Sequence, residues 1–206
     1  MIDRNTIRKV TNDNHLRNRV HRIDVAKNKH PVINFLKKYR KKCYKKSFLE
    51  VGCSTGFVLE KIRKEYKSSC YGVDSSFKAI KEGRKIFKKV HLKNAFSDNF
   101  YFKKKFDFII LGFFLFLVPP KNIFGIFSNL IKHLKDGGYI VIYDFYNKGK
   151  FLKKKYKHSN KVFCYRYDFK NIFLSIPCFK LIEKKRTYNK KMKDYIEVSL
   201  IRNVNI

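Results

Sequence analysis

Between Ser47 and Phe57 the chain reads Ser-Phe-Leu-Glu-Val-Gly-Cys-Ser-Thr-Gly-Phe. An apolar run carrying one acid, Glu50, breaks into a turn of small residues. Phe48 to Val51 reads as a buried strand, and Phe57, Val58, Ile62 and Tyr66 then fall at helical spacing. A strand, a glycine-bearing turn and a helix gather backbone N–H groups and a positive helix end at one point, which attracts anionic or polar ligand groups. Gly52 and Gly56 allow positive φ and close backbone approach. Glu50 stands at the carboxyl end of the strand, where open α/β sheets bind ligands. The spacing is not the dinucleotide pattern G-x-G-x-x-G. Asp74 follows Glu50 by one strand-to-strand step (74 − 50 = 24 residues) and ends the strand pattern Ser-Cys-Tyr-Gly-Val-Asp. A carboxylate there can accept the two hydroxyls of a ribose. It can also cap the helix announced by Phe77, Ile80 and Ile86. Both roles hold if Ser75 or Ser76 makes the cap.

The elements that must position these residues follow in order. Residues 1–30 are polar, carry the basic run Arg17, Arg19, Arg22, and show weak helical spacing: a tail, or a lid over a ligand. Pro31 suits a first helical turn, with Val32, Phe35 and Leu36 apolar before the basic run Lys37–Lys46, which reads as a solvated helix face. Lys89 to Leu92 is a weak third strand, followed by Asn94-Ala95. Phe106 to Leu111 is nearly continuously apolar, as suits a central parallel strand covered on both faces. An apolar loop, Gly112–Pro120, follows it. Ile123, Phe127, Leu130, Ile131 and Leu134 recur at helical spacing, with Asp136-Gly137-Gly138 as a glycine cap. Tyr139 to Phe145 is a fifth strand with Asp144 near its end.

Length and composition bound the class. The 206 residues suit one domain with a sizeable core. At 44% hydrophobic and 17% aromatic the chain is not disordered by composition. No apolar run reaches the ~18–20 residues of a membrane span, and no signal peptide is visible. Five cysteines without C-x-x-C spacing read as reduced cytoplasmic thiols, with no metal site. The formal charge of +33 would draw nucleic acid or an anionic membrane. Lys far exceeds Arg, however, and the charges run from end to end, as an AT-rich genome would encode.

The run Glu50-x-Gly52-x-Ser54-x-Gly56 resembles the first motif of class I S-adenosylmethionine-dependent methyltransferases, usually written with Gly where Ser54 stands. Acid-ended Asp74, the Phe106–Asp107 strand and the Gly137-Gly138 pair follow in the order of that family, over roughly residues 47–145. The resemblance implies an α/β, Rossmann-like, doubly wound, seven-stranded sheet, mostly parallel. Phe179–Arg186 and Tyr195–Arg202 would form its closing antiparallel C-terminal hairpin. It implies an N-terminal polar segment and helix over 1–46, a possible lid, and a methyltransferase domain over 47–206. Within that domain, 146–178 would be a substrate-covering insertion. The cofactor would be S-adenosyl-L-methionine, held by Glu50, Gly52, Cys53, Ser54, Gly56, Asp74, Ser75, Asn94, Ala95 and Gly112. The loop would take the methionine part and Asp74 the ribose. Asn94 replaces the family's usual Asp at the adenine edge, with Asp98 as an alternative, and Phe96 or Phe113 would flank the ring.

Methyl transfer needs an aligned nucleophile and, for a hydroxyl or amine, a proton acceptor. Catalytic candidates are His158, Asp144 and Tyr165, with Asp168 reading as a helix cap. The loop after the fourth strand, Leu-Gly-Phe-Phe-Leu-Phe, lacks the Asn-Pro-Pro-Tyr type motif of enzymes that methylate nucleobases or protein amides. The acceptor expected is a small molecule or glycan. An RNA or ribosomal-protein acceptor would use the charge, and a non-catalytic cofactor-binding protein would use the same fold.

Overall fold

The computed structural model describes residues 3–27, 30–147, 149, 151–190 and 192–204, without the side chains of residues 19–27. Arg19 and Arg22 of the N-terminal basic run thus lie outside the described side chains. The chain divides into two compact units, residues 1–100 and 101–206.

The first unit opens with helix α1 (Arg4–Lys27). Its described side chains bury only Val10 and His15, so the helix forms where apolar periodicity scarcely shows. Helix α2 (Pro31–Leu36) starts on Pro31, whose missing N–H costs a first turn nothing. It buries Val32, Ile33, Phe35 and Leu36. The basic run that follows is split between a 3₁₀ turn (Lys37–Tyr39) and helix α3 (Arg40–Cys43). Strand β1 (Ser47–Val51) is buried at every residue. Helix α4 (Phe57–Tyr66), strand β2 (Ser69–Asp74), helix α5 (Phe77–Ile86) and strand β3 (His91–Asn94) complete the unit. The three strands are parallel, with Val51 opposite Val73 and Asp74 opposite Asn94. Helix α5 lies where its spacing predicts, but its inner face is Ala79, Ile80 and Gly83. Phe77 and Ile86 point to solvent.

The second unit runs through strand β4 (Phe106–Gly112), a 3₁₀ turn (Leu115–Leu117), helix α6 (Pro120–His133) and strand β5 (Leu134–Phe145). The expected glycine cap is corrected here. The helix ends at His133 and β5 begins at once. Gly137, at φ 70°, and Gly138 lie within the strand, where the β4–β5 register shifts. A Cβ on Gly138 would stand 2.8 Å from the Lys135 carbonyl oxygen, so the bulge needs glycine. Strands β6 (Leu152–Tyr156) and β7 (Ser159–Arg166) form a separate two-stranded hairpin. Helix α7 (Lys170–Leu174) and strands β8 (Phe179–Asn189) and β9 (Asp194–Asn203) end the chain. β4 and β5 are parallel, and β5, β9 and β8 are antiparallel neighbours. The fold is α/β and Rossmann-like, a seven-stranded, mostly parallel sheet closed by the antiparallel hairpin β8–β9. Among the described residues no helix is long and apolar enough to cross a membrane.

Candidate active site

In the first unit, the chain leaves β1 through a loop bound to β2. The N–H groups of Gly52 and Cys53 both donate to the Val73 carbonyl (2.9 and 3.1 Å), and Gly56 N–H donates to the Cys53 carbonyl (2.9 Å). Gly52, Ser54 and Gly56 have φ of 77°, 51° and 79°. Ser54 thus adopts the left-handed backbone that the family's glycine would adopt without steric cost. Its N–H donates to Asp74 Oδ2 at 2.7 Å, and Ser76 N–H donates to Asp74 Oδ1 at 2.7 Å. Asp74 is therefore fixed by two backbone donors, and the cap of α5 is made by Ser76 Oγ, which accepts from Ala79 N–H. The Asn94 amide donates to the Asp74 carbonyl (2.8 Å), leaving its oxygen as the group to offer a donor. Ala95 N–H donates to the same carbonyl.

Cys53 and Glu50 differ in what they can present. The Cys53 side chain is buried against Gly72, where a Cβ would lie 2.6 Å from its sulfur. Its backbone N–H donates to the Val73 carbonyl of β2, and its carbonyl accepts from Gly56 N–H within the loop. Glu50 is 4% exposed and its Oε2 has no hydrogen-bond partner. Burial, and then the nearby Asp74 charge, push its carboxyl well above the usual carboxylate range. A buried carboxylate oxygen without a donor is costly, and a cationic or N–H-bearing ligand group would satisfy it. The glycine-lined turn, the orphaned oxygen and the fixed Asp74 fit an amino acid joined to a nucleoside, which is the make-up of S-adenosylmethionine.

Several positioning residues leave little trace in the sequence. Gly83 brings α5 against the loop, where a Cβ would stand 2.3 Å from the Thr55 carbonyl oxygen. A glycine inside a helix costs about 1 kcal/mol relative to alanine, and that cost was the available signal. Helix α1 contributes Thr11, whose hydroxyl accepts from Ser75 Oγ (3.2 Å), and Asn12, whose oxygen accepts from Ser76 Oγ (2.9 Å). Buried His15 meets Glu82 at 3.1 Å. The Arg4 and Arg8 guanidinium groups lie over the Phe96 ring, 4.9 and 5.2 Å from its centroid. Asp98 is engaged by Arg4.

The second unit holds the catalytic candidates. Gly112 ends β4, and Phe113 follows at φ 55°, its N–H bonded to the Tyr143 carbonyl. Phe113, Phe116 and Phe145 pack within 4.9–5.3 Å between ring centroids, and Tyr156 of the hairpin lies 6.2 Å from Phe116. Asp144 is buried and accepts N–H bonds from Phe145 (2.7 Å), Phe116 (3.3 Å) and Leu115. Its carboxylate thus ties the aromatic loop to the end of β5. Burial pushes its pKa up to about 7, against the pull of those N–H groups and of Arg166. His158 is exposed at the hairpin turn, edge-on to Tyr156 at 5.3 Å. Tyr165 is buried, which raises its hydroxyl pKa. Asp168 is not a side-chain cap of α7. It grips buried Lys170, which also meets Glu197 at 2.9 Å.

A doubly wound sheet with a glycine turn and a fixed acid at adjacent strand ends defines the class I methyltransferase architecture. The chain belongs to the methyltransferase-domain family, whose model, described as "Methyltransferase domain", matches residues 19–173. It is an S-adenosyl-L-methionine-dependent methyltransferase. No curated protein matches it. Among solved structures it is similar to 1,6-didemethyltoxoflavin-N1-methyltransferase of Burkholderia thailandensis, with bound 1,6-didemethyltoxoflavin and S-adenosylhomocysteine. The TM-score is 0.75 at 13% identity, covering 100% of this chain and 92% of that one. It is similar to magnesium protoporphyrin IX methyltransferase of Synechocystis PCC 6803 with bound cofactor, at TM-score 0.75 and 13% identity, covering 98% of each chain. The N-methyltransferase NodS of Bradyrhizobium japonicum WM9 is a third, at TM-score 0.62 and 15% identity, covering 86% of this chain and 90% of that one.

Proposed function

We propose that the chain methylates a small-molecule or glycan acceptor. In this reading Glu50, Gly52, Ser54 and Gly56 hold the methionine part of the cofactor, Asp74 the ribose, and Asn94 and Ala95 the adenine edge. The orphaned Glu50 oxygen carries the assignment, because nothing described in the protein satisfies it. When bound, the cofactor supplies an activated methyl group on sulfur. The protein supplies alignment and a route for the acceptor's proton.

The half-buried rings of Phe113 and Phe145 support a compact, partly apolar acceptor. The two neighbours named for toxoflavin and protoporphyrin chemistry support a small molecule in the same way. Insertion 146–178 would cover the acceptor and supply its specificity, since loops on a rigid scaffold carry function. Asp144 is better suited to holding the loop than to serving as the acceptor's base, because three backbone N–H groups already face its oxygens. His158, exposed at the hairpin turn, is the base that this reading favours. Segment 1–46 serves as a lid through α1, which bonds Ser75 and Ser76 beside Asp74.

The test is a methyl-transfer screen with labelled S-adenosylmethionine and cell extract split into small-molecule, glycan, protein and RNA fractions. Label is expected in one of the first two fractions. Label confined to RNA or protein overturns the acceptor assignment.

A further inference from the structure

The edge of the first unit opposite the Gly52 loop has a chemistry of its own. There, the amino ends of β2 and β3 and the carboxyl end of α4 border an open groove. Arg63, Lys64, Lys67, Lys89 and His91 line it with Ser68, Ser69 and Cys70, and no acid is among these residues. Arg63 is held rigid by Glu60 through Nε and Nη2 (2.7 and 2.9 Å), which neutralises one charge. Lys64 meets the same Glu60 at 3.5 Å and, like Lys67 and Lys89, is exposed. Lys67 takes φ 52°, a left-handed conformation that a lysine rarely adopts and that fixes where its side chain leaves the turn.

The groove continues into the basic run before β1. Ser69 N–H donates to the Lys46 carbonyl (3.1 Å), and Lys45 N–H donates to the Tyr66 carbonyl (2.8 Å). Lys45 and Lys46 are exposed there. One wall is aromatic. The exposed His91 ring stacks on Tyr71, with centroids 4.7 Å apart and planes 19° apart. Rows of cations beside a flat ring are how proteins hold single strands, phosphates on the cations and bases on the ring.

We propose that this groove docks single-stranded RNA through its phosphate backbone. Gly52, Asp74 and Asn94 end the same strands at the other edge. A six-residue strand such as β2 spans about 16 Å between its end residues, so the docked segment is held away from the cofactor loop. The groove is therefore a binding site distinct from methyl transfer.

The test uses the full chain and a labelled oligouridylate of about 12 nucleotides, with binding read by fluorescence anisotropy over a range of salt. The groove variant is Lys64→Glu/Lys67→Glu/Lys89→Glu. The control, Lys180→Glu/Lys184→Glu/Lys185→Glu on exposed positions of β8, makes the same change in net charge. The groove variant should bind about tenfold or more weakly. Its salt slope should fall by about 2, near 0.7 for each phosphate that the lysines no longer neutralise. The control should lose less than about threefold, as a distant, screened charge change would. S-adenosylmethionine affinity, measured by calorimetry, should stay unchanged in both. Equal losses in the two variants would mean that net charge alone attracts RNA, and would overturn the proposal. If the groove variant misfolds, the neutral pair Lys67→Gln/Lys89→Gln replaces it, and unchanged RNA affinity in that pair overturns the proposal as well.

Discussion

Replacing Asp144 with asparagine should change how stability depends on pH. The carboxyl is buried among the N–H groups of Leu115, Phe116 and Phe145, and its pKa rises from an ordinary 3.8 to about 7. Between those two values the native protein holds a proton that the unfolded chain has released. Stability must then fall as pH rises through this window, and the loss is complete above about pH 7. Each unit of pH spent inside the window costs about 1.4 kcal/mol. From about pH 5 to about pH 8 the wild type should lose up to about 3 kcal/mol through this one group. Tyr143, Tyr167, Cys164 and Arg166 also couple to Asp144, but the two tyrosines titrate at about 12, the Cys164 thiol is pushed up by burial and Arg166 keeps its charge, so none of them titrates in the comparison. Asp144→Asn keeps the shape and removes the titration. Urea unfolding of both proteins at the two pH values isolates the effect. The variant should gain on the wild type by about 2–3 kcal/mol on going to the higher pH. Parallel stability curves would show that Asp144 is ionised throughout, and would refute the argument that burial outweighs its three N–H donors.

Three further perturbations probe the rest of the site. Asp74→Ala should weaken S-adenosylmethionine binding about tenfold or more, since hydrogen bonds to a charged acceptor are worth about 1.5–3 kcal/mol each; calorimetry showing unchanged affinity in a folded variant removes the ribose assignment. Gly83→Ala places a Cβ 2.3 Å from the Thr55 carbonyl oxygen, so the loop must shift. A stability loss of about 1–3 kcal/mol with reduced cofactor affinity is expected, and a neutral result means that α5 does not brace the loop. Lys170→Met leaves Asp168 and buried Glu197 without their shared cation and should cost about 3–5 kcal/mol; chemical denaturation reads it, and a loss below about 1 kcal/mol would show that Arg186 and Ser199 suffice for Glu197.

What the sequence discloses of this fold follows from where apolar residues and glycines fall. Phe48–Val51 and Phe106–Leu111 are legible because central parallel strands are buried on both faces and need continuous apolar runs. Asp74 is legible because an acid ends such a run one βαβ step after Glu50. Helix α1 is nearly illegible because its described part buries Val10 and His15 and leaves the rest polar; its contacts with Ser75 and Ser76 are hydrogen bonds that no periodicity records. Phe77 and Ile86 mislead in the opposite direction, being apolar at helical spacing yet exposed. Gly137-Gly138 mimics a helix cap because a bulge and a cap ask for the same residue. Asp168 mimics an N-cap because sequence cannot show that Lys170 turns back into the protein to meet it.

The polar seam under α1 has a thermodynamic consequence. Over its described side chains the helix is attached by hydrogen bonds, by guanidinium groups over Phe96 and by the His15–Glu82 pair, with little apolar area. Heat capacity and denaturant sensitivity both scale with the surface an opening exposes. Lifting this part of the helix should therefore be nearly athermal in heat capacity and almost insensitive to urea. Opening of the core behind it, through Leu59, Ile62 and Ile80, should depend steeply on both. Hydrogen exchange in low urea would then sort amides into two populations, a flat one in α1 and a sloped one in the strands. With so small a heat-capacity change, the free energy of lifting the helix would run nearly straight with temperature, while that of opening the core would curve.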